Sequence, residues 1–165
     1  MTVLQSVGYP TTMTSALAIV CTLKPTPAES SSELIARQTL DALSEHGVGG
    51  EIVRAVDHDI RPSVERDMGD GDQWPVILDK VLAADILLIS TPTWLGHPSS
   101  VTQRVLERLD AEISETDDAG RPSSLGKVGM VAVVGNEDGA HKIIADVFGG
   151  LTDIGFTIPA QGSTY

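Results

Sequence analysis

The chain has 165 residues, with 23 Asp or Glu against 11 Lys or Arg, for a formal net charge of -12 at pH 7. A surface of that sign repels polyanions and no Lys/Arg run offsets it, which argues against nucleic acid and anionic membrane as partners. The length fits one domain and 41% hydrophobic residues can fill its core, while the single cysteine, Cys21, leaves no intrachain disulfide and no Cys-based metal site.

Residues 1–15 carry Gly8, Pro10 and a Thr/Ser cluster, and read as a loose arm before a domain spanning 16–165. They lack the basic and continuous apolar regions of a signal peptide, so the cytoplasm is the default location. No apolar run approaches the ~20 residues of a membrane span. Residues 16–21 form a continuous apolar run and predict the first strand. A loop with Pro25 and Pro27 follows, and Ser30 with Glu33 forms a capping box that opens a helix through Leu34, Ile35, Ala42 and Leu43. His46-Gly47 is its stop. Residues 51–56 predict the second strand.

Residues 57–73 form a long polar segment, a length that is uncommon in compact domains unless functional or mobile. Asp72 can then cap a helix whose Trp74, Ile77, Leu78, Val81 and Leu82 share one face. The apolar run 86–89 predicts a strand buried on both faces. Thr91-Pro92-Thr93-Trp94-Leu95-Gly96 reads as a polar-aromatic loop, because Pro92 has no N–H for a central ladder. Ser100 and Gln103 form a second capping box before Val101, Val105, Leu106 and Leu109. After an acidic loop, 127–134 predicts the fourth strand. Gly135-Asn136-Glu137-Asp138-Gly139 follows, then a helix through Ile143, Ile144, Val147, Phe148 and Leu151. Gly149-Gly150 inside that helix suggests close packing. Gly155 ends it, and 156–160 predicts the fifth strand.

Regular strand–helix alternation predicts an α/β fold: a doubly wound, five-stranded parallel sheet with helices on both faces. With strand order 2-1-3-4-5, the loops after strands one, three and four meet at one edge, beside the switch point where ligands bind. The first of these loops has no Gly-rich phosphate fingerprint. It offers Thr22, Lys24, Ser30, Ser31 and Ser32 at a helix start, where hydroxyls and free N–H groups can hold an anion or the serines can simply cap the helix. The second holds Trp94 and His97; His97 has no visible orienting partner for base catalysis. The third is polar and bounded by glycines. His58, Asp59, His97 and His141 lack metal-ligand spacing, and no G-x-S-x-G elbow exists, so no catalytic or metal residue is assigned.

Ala84-Asp85 before the buried strand, then Thr91-Pro92-Thr93-Trp94-Leu95-Gly96, resembles the Ser/Thr-Pro-x-Tyr/Trp-x-Gly pattern of the NAD(P)H-dependent FMN reductases in the flavodoxin-like superfamily. Gly126-Lys127-Val128 and the Gly135 to Gly139 run support the resemblance, which covers about 16–165. It implies that FMN is bound with its phosphate at Thr22, Lys24, Ser30, Ser31 and Ser32. It places the isoalloxazine along Pro92, Thr93, Trp94, Leu95 and Gly96, and its pyrimidine edge at Gly135, Asn136 and Gly139. The first loop departs from the family's short form, being lengthened by Pro25-Thr26-Pro27-Ala28-Glu29. The resemblance also implies hydride passage from NAD(P)H, as co-substrate, through flavin to a small acceptor such as a quinone, flavin or nitro compound. A flavodoxin-type electron carrier is the alternative, and a binding module without flavin a third reading. The family's last helix is missing after the fifth strand. That implies either a truncated chain or an apolar sheet face covered by another subunit. The resemblance further implies a homo-oligomer, at least a dimer, with the 57–73 segment and Trp94 near the mouth of the site.

Overall fold

The computed structural model describes residues 13–165. Of the expected arm at 1–15, residues 1–12 lie outside the described residues, and Ser15 opens the first strand. In chain order the elements are β1 (Ser15–Val20), α1 (Ser31–Ser44), β2 (Gly49–Arg54), α2 (Trp74–Ala83), β3 (Ile86–Trp94), β4 (His97–Pro98), α3 (Ser100–Leu109), β5 (Val128–Val134), α4 (Ala140–Asp153) and β6 (Ser163–Thr164). The sheet runs β2-β1-β3-β5-β6, with β4 hanging off β3 as a two-residue hairpin arm. Without β4, the five strands stand in the expected order 2-1-3-4-5, and every neighbouring pair is parallel. Ala18 lies opposite Ile52 on one side and Leu88 on the other, and Leu88 opposite Met130.

Side-chain alternation sorts the sheet into two faces. Leu17, Ile19, Leu87, Ile89, Val131 and Val133 pack with Trp74, Ile77 and Val81 of α2, Val105 and Leu109 of α3, and Ile143, Val147 and Leu151 of α4. The other face carries Ala16, Ala18, Val20, Leu88 and Ala132 beneath Ala36 and Leu40 of α1. Small residues there let α1 approach closely. Beside α1 that face holds an open groove of about 320 Å³ lined by Ile35, Leu88, Met130, Gln161 and Thr164 among others. Among the described residues no helix is long and apolar enough to cross a membrane.

Several boundaries differ from the sequence reading, each for a physical reason. β3 continues through Pro92 to Trp94 instead of ending before a loop. The last β1–β3 pair is Val20 with Ser90, whose carbonyl accepts from Cys21 N at 2.8 Å. Pro92, two residues on, faces the same side past the end of β1, where no strand awaits an N–H. The α3 cap is Ser99, not Ser100: its hydroxyl accepts from Thr102 N at 3.1 Å. Gln73, not Asp72, is the N-cap of α2. The fifth strand is β6; within 156–160 only Thr157 bridges, to Val128, before a turn from Pro159 to Gly162. Close packing does not explain Gly149-Gly150: a Cβ at Gly149 would meet nothing within 4 Å, and one at Gly150 only Leu106 at 3.8 Å.

The 57–73 segment is neither loose nor part of the cleft described below. It wraps the guanidinium of Arg108, which is fully buried and donates to the carbonyls of Arg61, Glu65 and Arg66 and to Asp72 Oδ2 at 2.7 Å. The Arg108 guanidinium also lies 5.6 Å from the Trp74 ring centroid. The Asp72 carboxylate accepts from the N–H groups of Arg61, Met68 and Trp74. Burial alone would raise the Asp72 carboxyl, but Arg108 and these three N–H groups bring it down to about 2. A depressed folded-state value gives stability that is complete above the unfolded value of 3.8 and is lost as pH falls toward about 2. Asp72→Asn leaves Arg108 buried without its counter-charge, so we expect a loss of about 3–5 kcal/mol in urea unfolding at pH 7. The same variant should lack the acid transition that the parent shows in this pH window.

Candidate functional site

The carboxyl ends of β1, β3 and β5 open onto a cleft of about 450 Å³. Its lining brings together Thr22, Lys24, Ser30, Ser31 and Ser32 after β1, Pro92, Thr93 and Trp94 at the end of β3, and Gly135 and Asn136 after β5. Leu95, Gly96 and Gly139 are outside that lining; they form the turns that close one wall. Leu23, Glu29, Val134 and Glu137 also line the cleft and were not singled out from sequence. No residue of 57–73 does.

Buried hydroxyls fix how these strand ends meet. Ser90 Oγ donates to Ser32 O at 2.6 Å, tying the start of α1 to β3. Ser99 Oγ donates to Cys21 O at 2.6 Å, tying the end of β1 to the start of α3. Thr102 Oγ1 donates to Thr91 Oγ1 at 2.7 Å, which also accepts from Ser99 N. Cys21 sits inside this cluster, and burial pushes its thiol up to about 12, so it is a packing group and not a nucleophile. Within the first loop, Thr22 Oγ1 accepts from Lys24 N at 3.3 Å and Ser30 Oγ caps α1 by accepting from Glu33 N at 3.2 Å. Both hydroxyls therefore already serve the loop. Helix geometry leaves the first-turn N–H groups of Ser31 and Ser32 without intrahelical acceptors, and both residues line the cleft.

The second wall is a tight hairpin. Trp94 pairs with His97 across Leu95 and Gly96, whose φ values are 51 and 74 degrees. Positive φ at both centres of a two-residue hairpin is the type I′ pattern, which costs glycine nothing and strains leucine. The Glu137 carboxylate holds Leu95 in place by accepting its N–H at 2.6 Å. Gly139, at φ 128 degrees, packs its backbone on Gly96: an added Cβ would sit 2.6 Å from Gly96 Cα. A Cβ at Gly135 would overlap the Thr93 methyl. The loops after β3 and β5 thus touch backbone to backbone, and two glycines make that approach possible. The buried Thr93 hydroxyl has no partner among the described residues. Trp94 and Leu95 stand 53% and 87% exposed beside the cleft, an apolar lip.

Among the described residues Lys24 is the only cation in the cleft lining, against the carboxylates of Glu29 and Glu137. Two further cations, Arg37 and Arg54, line an adjoining cavity of about 590 Å³ on the other side of the first loop with Lys24, Ser30 and Ser31, and share Glu33. The Arg54 hydrogen bond, helped by Arg37, holds the Glu33 carboxyl below its usual range. Asp57 is lowered in turn by hydrogen bonds from the Thr26 hydroxyl and N–H, at 2.5 and 2.8 Å. These groups carried no sequence signal, since a strand-end Arg and a loop Asp reveal their role only once the chain has folded. His97 lies 3.4 Å from Lys142 Nζ, on the outer side of the hairpin. Among the described residues no cluster of ligating side chains could hold a metal. The arrangement suits a flat aromatic group with an anionic tail: an open helix start at one end, an apolar lip and a glycine-walled slot at the other. Its volume falls in the range of small-molecule sites.

Comparison with known proteins agrees with this geometry. The family model described as NADPH-dependent FMN reductase matches residues 14–163. The chain is 39% identical over 150 residues to the divalent metal cation transporter MntH of Mycobacterium bovis, covering 88% of this chain and 22% of that protein. It is 30% identical over 159 residues to 8-demethyl-8-aminoriboflavin-5'-phosphate synthase of Streptomyces davaonensis, covering 91% and 62% of the two chains. The solved structure of RosB with the bound intermediate 8-demethyl-8-formylriboflavin-5'-phosphate superposes with a TM-score of 0.84 at 30% identity, over 92% of this chain and 64% of that one. The chain thus spans less than two thirds of the length of these relatives. With a family match that runs from β1 to β6, the chain belongs to the NADPH-dependent FMN reductase family.

Proposed function

We propose that the protein is an FMN-dependent oxidoreductase that takes reducing equivalents from NAD(P)H and delivers them to a small acceptor such as a quinone, a flavin or a nitro compound. FMN, when bound, supplies the two-electron chemistry, and the protein supplies binding, orientation and exclusion of water. The observation that carries the reading is the convergence of the three loops on one cleft with a free helix start at one end. The N–H groups of Ser31 and Ser32, the Ser31 hydroxyl and Lys24 would hold the phosphate. Each charge-assisted hydrogen bond contributes roughly 1.5–3 kcal/mol. Pro92, Thr93 and Trp94 would lie along the isoalloxazine, and Gly135 and Asn136 at its pyrimidine edge. Leu95, Gly96 and Gly139 would keep that wall in shape. The apolar lip at Trp94 and Leu95 suits a flat acceptor or nicotinamide, and equally a second subunit; we include a cytoplasmic homo-oligomer in the proposal.

RosB, which is similar in both sequence and fold, holds a flavin phosphate as an intermediate. That favours a second reading, in which riboflavin 5'-phosphate is itself altered in this cleft. The test is anaerobic addition of NADPH or NADH to protein loaded with FMN. Loss of the visible flavin band, its return on adding a quinone, and chromatographic recovery of unaltered FMN support the oxidoreductase. Recovery of a modified flavin supports the second reading, and a band that fades only with a partner reductase indicates an electron carrier.

Two substitutions test the site itself. Ser31→Asp places a carboxylate where the phosphate is proposed to sit, while Asp near a helix N-terminus keeps the helix stable. FMN affinity by fluorescence quenching should fall at least about 100-fold, through repulsion and lost hydrogen bonds. Riboflavin, which lacks the phosphate, should change little. Unchanged FMN binding in a folded variant would place the phosphate elsewhere. Gly139→Ala forces a Cβ onto the Gly96 backbone, so we expect about 1–3 kcal/mol of destabilisation in thermal or urea unfolding. It should also weaken FMN and riboflavin together, since it disturbs the ring wall and not the phosphate loop.

A further inference from the structure

Arg54, the last residue of β2, stands behind the loop that joins β1 to α1. Its side chain is 8% exposed. Nη1 donates to the carbonyls of Ala28 at 2.9 Å and Lys24 at 3.2 Å, while Nε and Nη2 donate to Glu33 in the first turn of α1. One guanidinium therefore gathers two carbonyls from either side of Pro25, Thr26 and Pro27. In a trans peptide the C=O and the following N–H point in opposite directions, so drawing Ala28 O onto Arg54 turns the Glu29 N–H to the opposite side of the loop. Glu29, Ser30 and Ser31 line the cleft. The middle of the same loop is held by Asp57, just after β2, which accepts from Thr26 N and Oγ1. Groups at the end of β2 thus grip the loop at Lys24 and Ala28 through their carbonyls and at Thr26 through its N–H and hydroxyl.

Resting on the proposed FMN reading, we infer that Arg54 is a positioning residue for the phosphate: it holds the Lys24 and Ala28 carbonyls and so turns the Glu29 amide toward the anion. It does this from outside the cleft lining, paired with the Glu33 carboxylate that it shares with Arg37. A loop lengthened by five residues and bearing two prolines then keeps one shape for an anion that the protein's overall charge repels. Lysine cannot substitute, since a single ammonium lacks the planar fork that reaches two carbonyls and a carboxylate together.

The experiment measures FMN and riboflavin affinities by fluorescence quenching for the parent, Arg54→Met, Arg54→Lys and Asp57→Asn, with circular dichroism to confirm folding. Glu33 keeps Arg37 as partner in the first two variants. For Arg54→Met the expected result is a loss of FMN affinity of about tenfold or more, from the misplaced Glu29 donor, with riboflavin changed by less than about twofold. Arg54→Lys should behave like Arg54→Met, and Asp57→Asn should show a smaller loss, again for FMN alone. Equal losses for both flavins, full FMN affinity in folded Arg54→Met, or full restoration by Lys would overturn the inference. If Arg54→Met does not fold, Asp57→Asn decides it: an FMN-specific loss supports loop positioning, and none overturns it. A parent protein that binds FMN no better than riboflavin would instead overturn the phosphate site on which the inference rests.

Discussion

Everything at the carboxyl edge of the sheet hangs on a short row of buried hydroxyls at the end of β3 and the start of α3. Ser90, Thr91, Ser99 and Thr102 leave the strand and helix with polar atoms that the surrounding core would penalise unless paired. They are paired with each other and with the carbonyls of Cys21 and Ser32. A fully satisfied buried network admits few alternatives. Its effect is to fix the end of β1 and the first turn of α1 against β3 before any ligand arrives. The cleft between them is therefore built by the core, and the loops need only decorate it.

That foundation bears on how so acidic a protein would offer the proposed anion site. Long-range attraction is absent at a net charge of -12. The cleft answers with local geometry: helix-start amides held in place by Ser90 and a loop gripped from behind by Arg54 and Asp57. On the opposite wall the strain of Leu95 is held by Glu137 and by the Gly96–Gly139 contact. Carboxylates appear in the lining, yet Glu137 is occupied with the hairpin backbone. Preorganised donors of this kind cost no rearrangement on binding, which is how the proposed site would hold a phosphate without an arginine in its lining.

The sheet and its strand order were readable from the chain because the buried strands are unbroken apolar runs and the helices have clear apolar faces. What sequence patterns misplaced were the places where tertiary contacts overrule local preference. Pro92 reads as a strand breaker but sits past the end of β1, where its missing N–H has no consequence. The 57–73 segment reads as a functional or mobile loop but folds around Arg108, and a buried ion pair leaves no local signature. Ser99 and Ser100 are equivalent in sequence, and only the Thr102 contact selects the cap. The three converging loops were visible from their Pro, Ser and Gly content. Arg54 and Glu137 were not, because each acts on a loop far from it in the chain, Glu137 being 42 residues from Leu95.

The central claim is that three separate loops act together as one flavin site. Hydrogen–deuterium exchange of the full chain with and without FMN tests it most directly. The account predicts slowed exchange in residues 22–32, 91–98 and 135–139 together, and with riboflavin in the last two segments only. Protection confined to one of these segments, or located instead along the groove between α1 and β6, would contradict it.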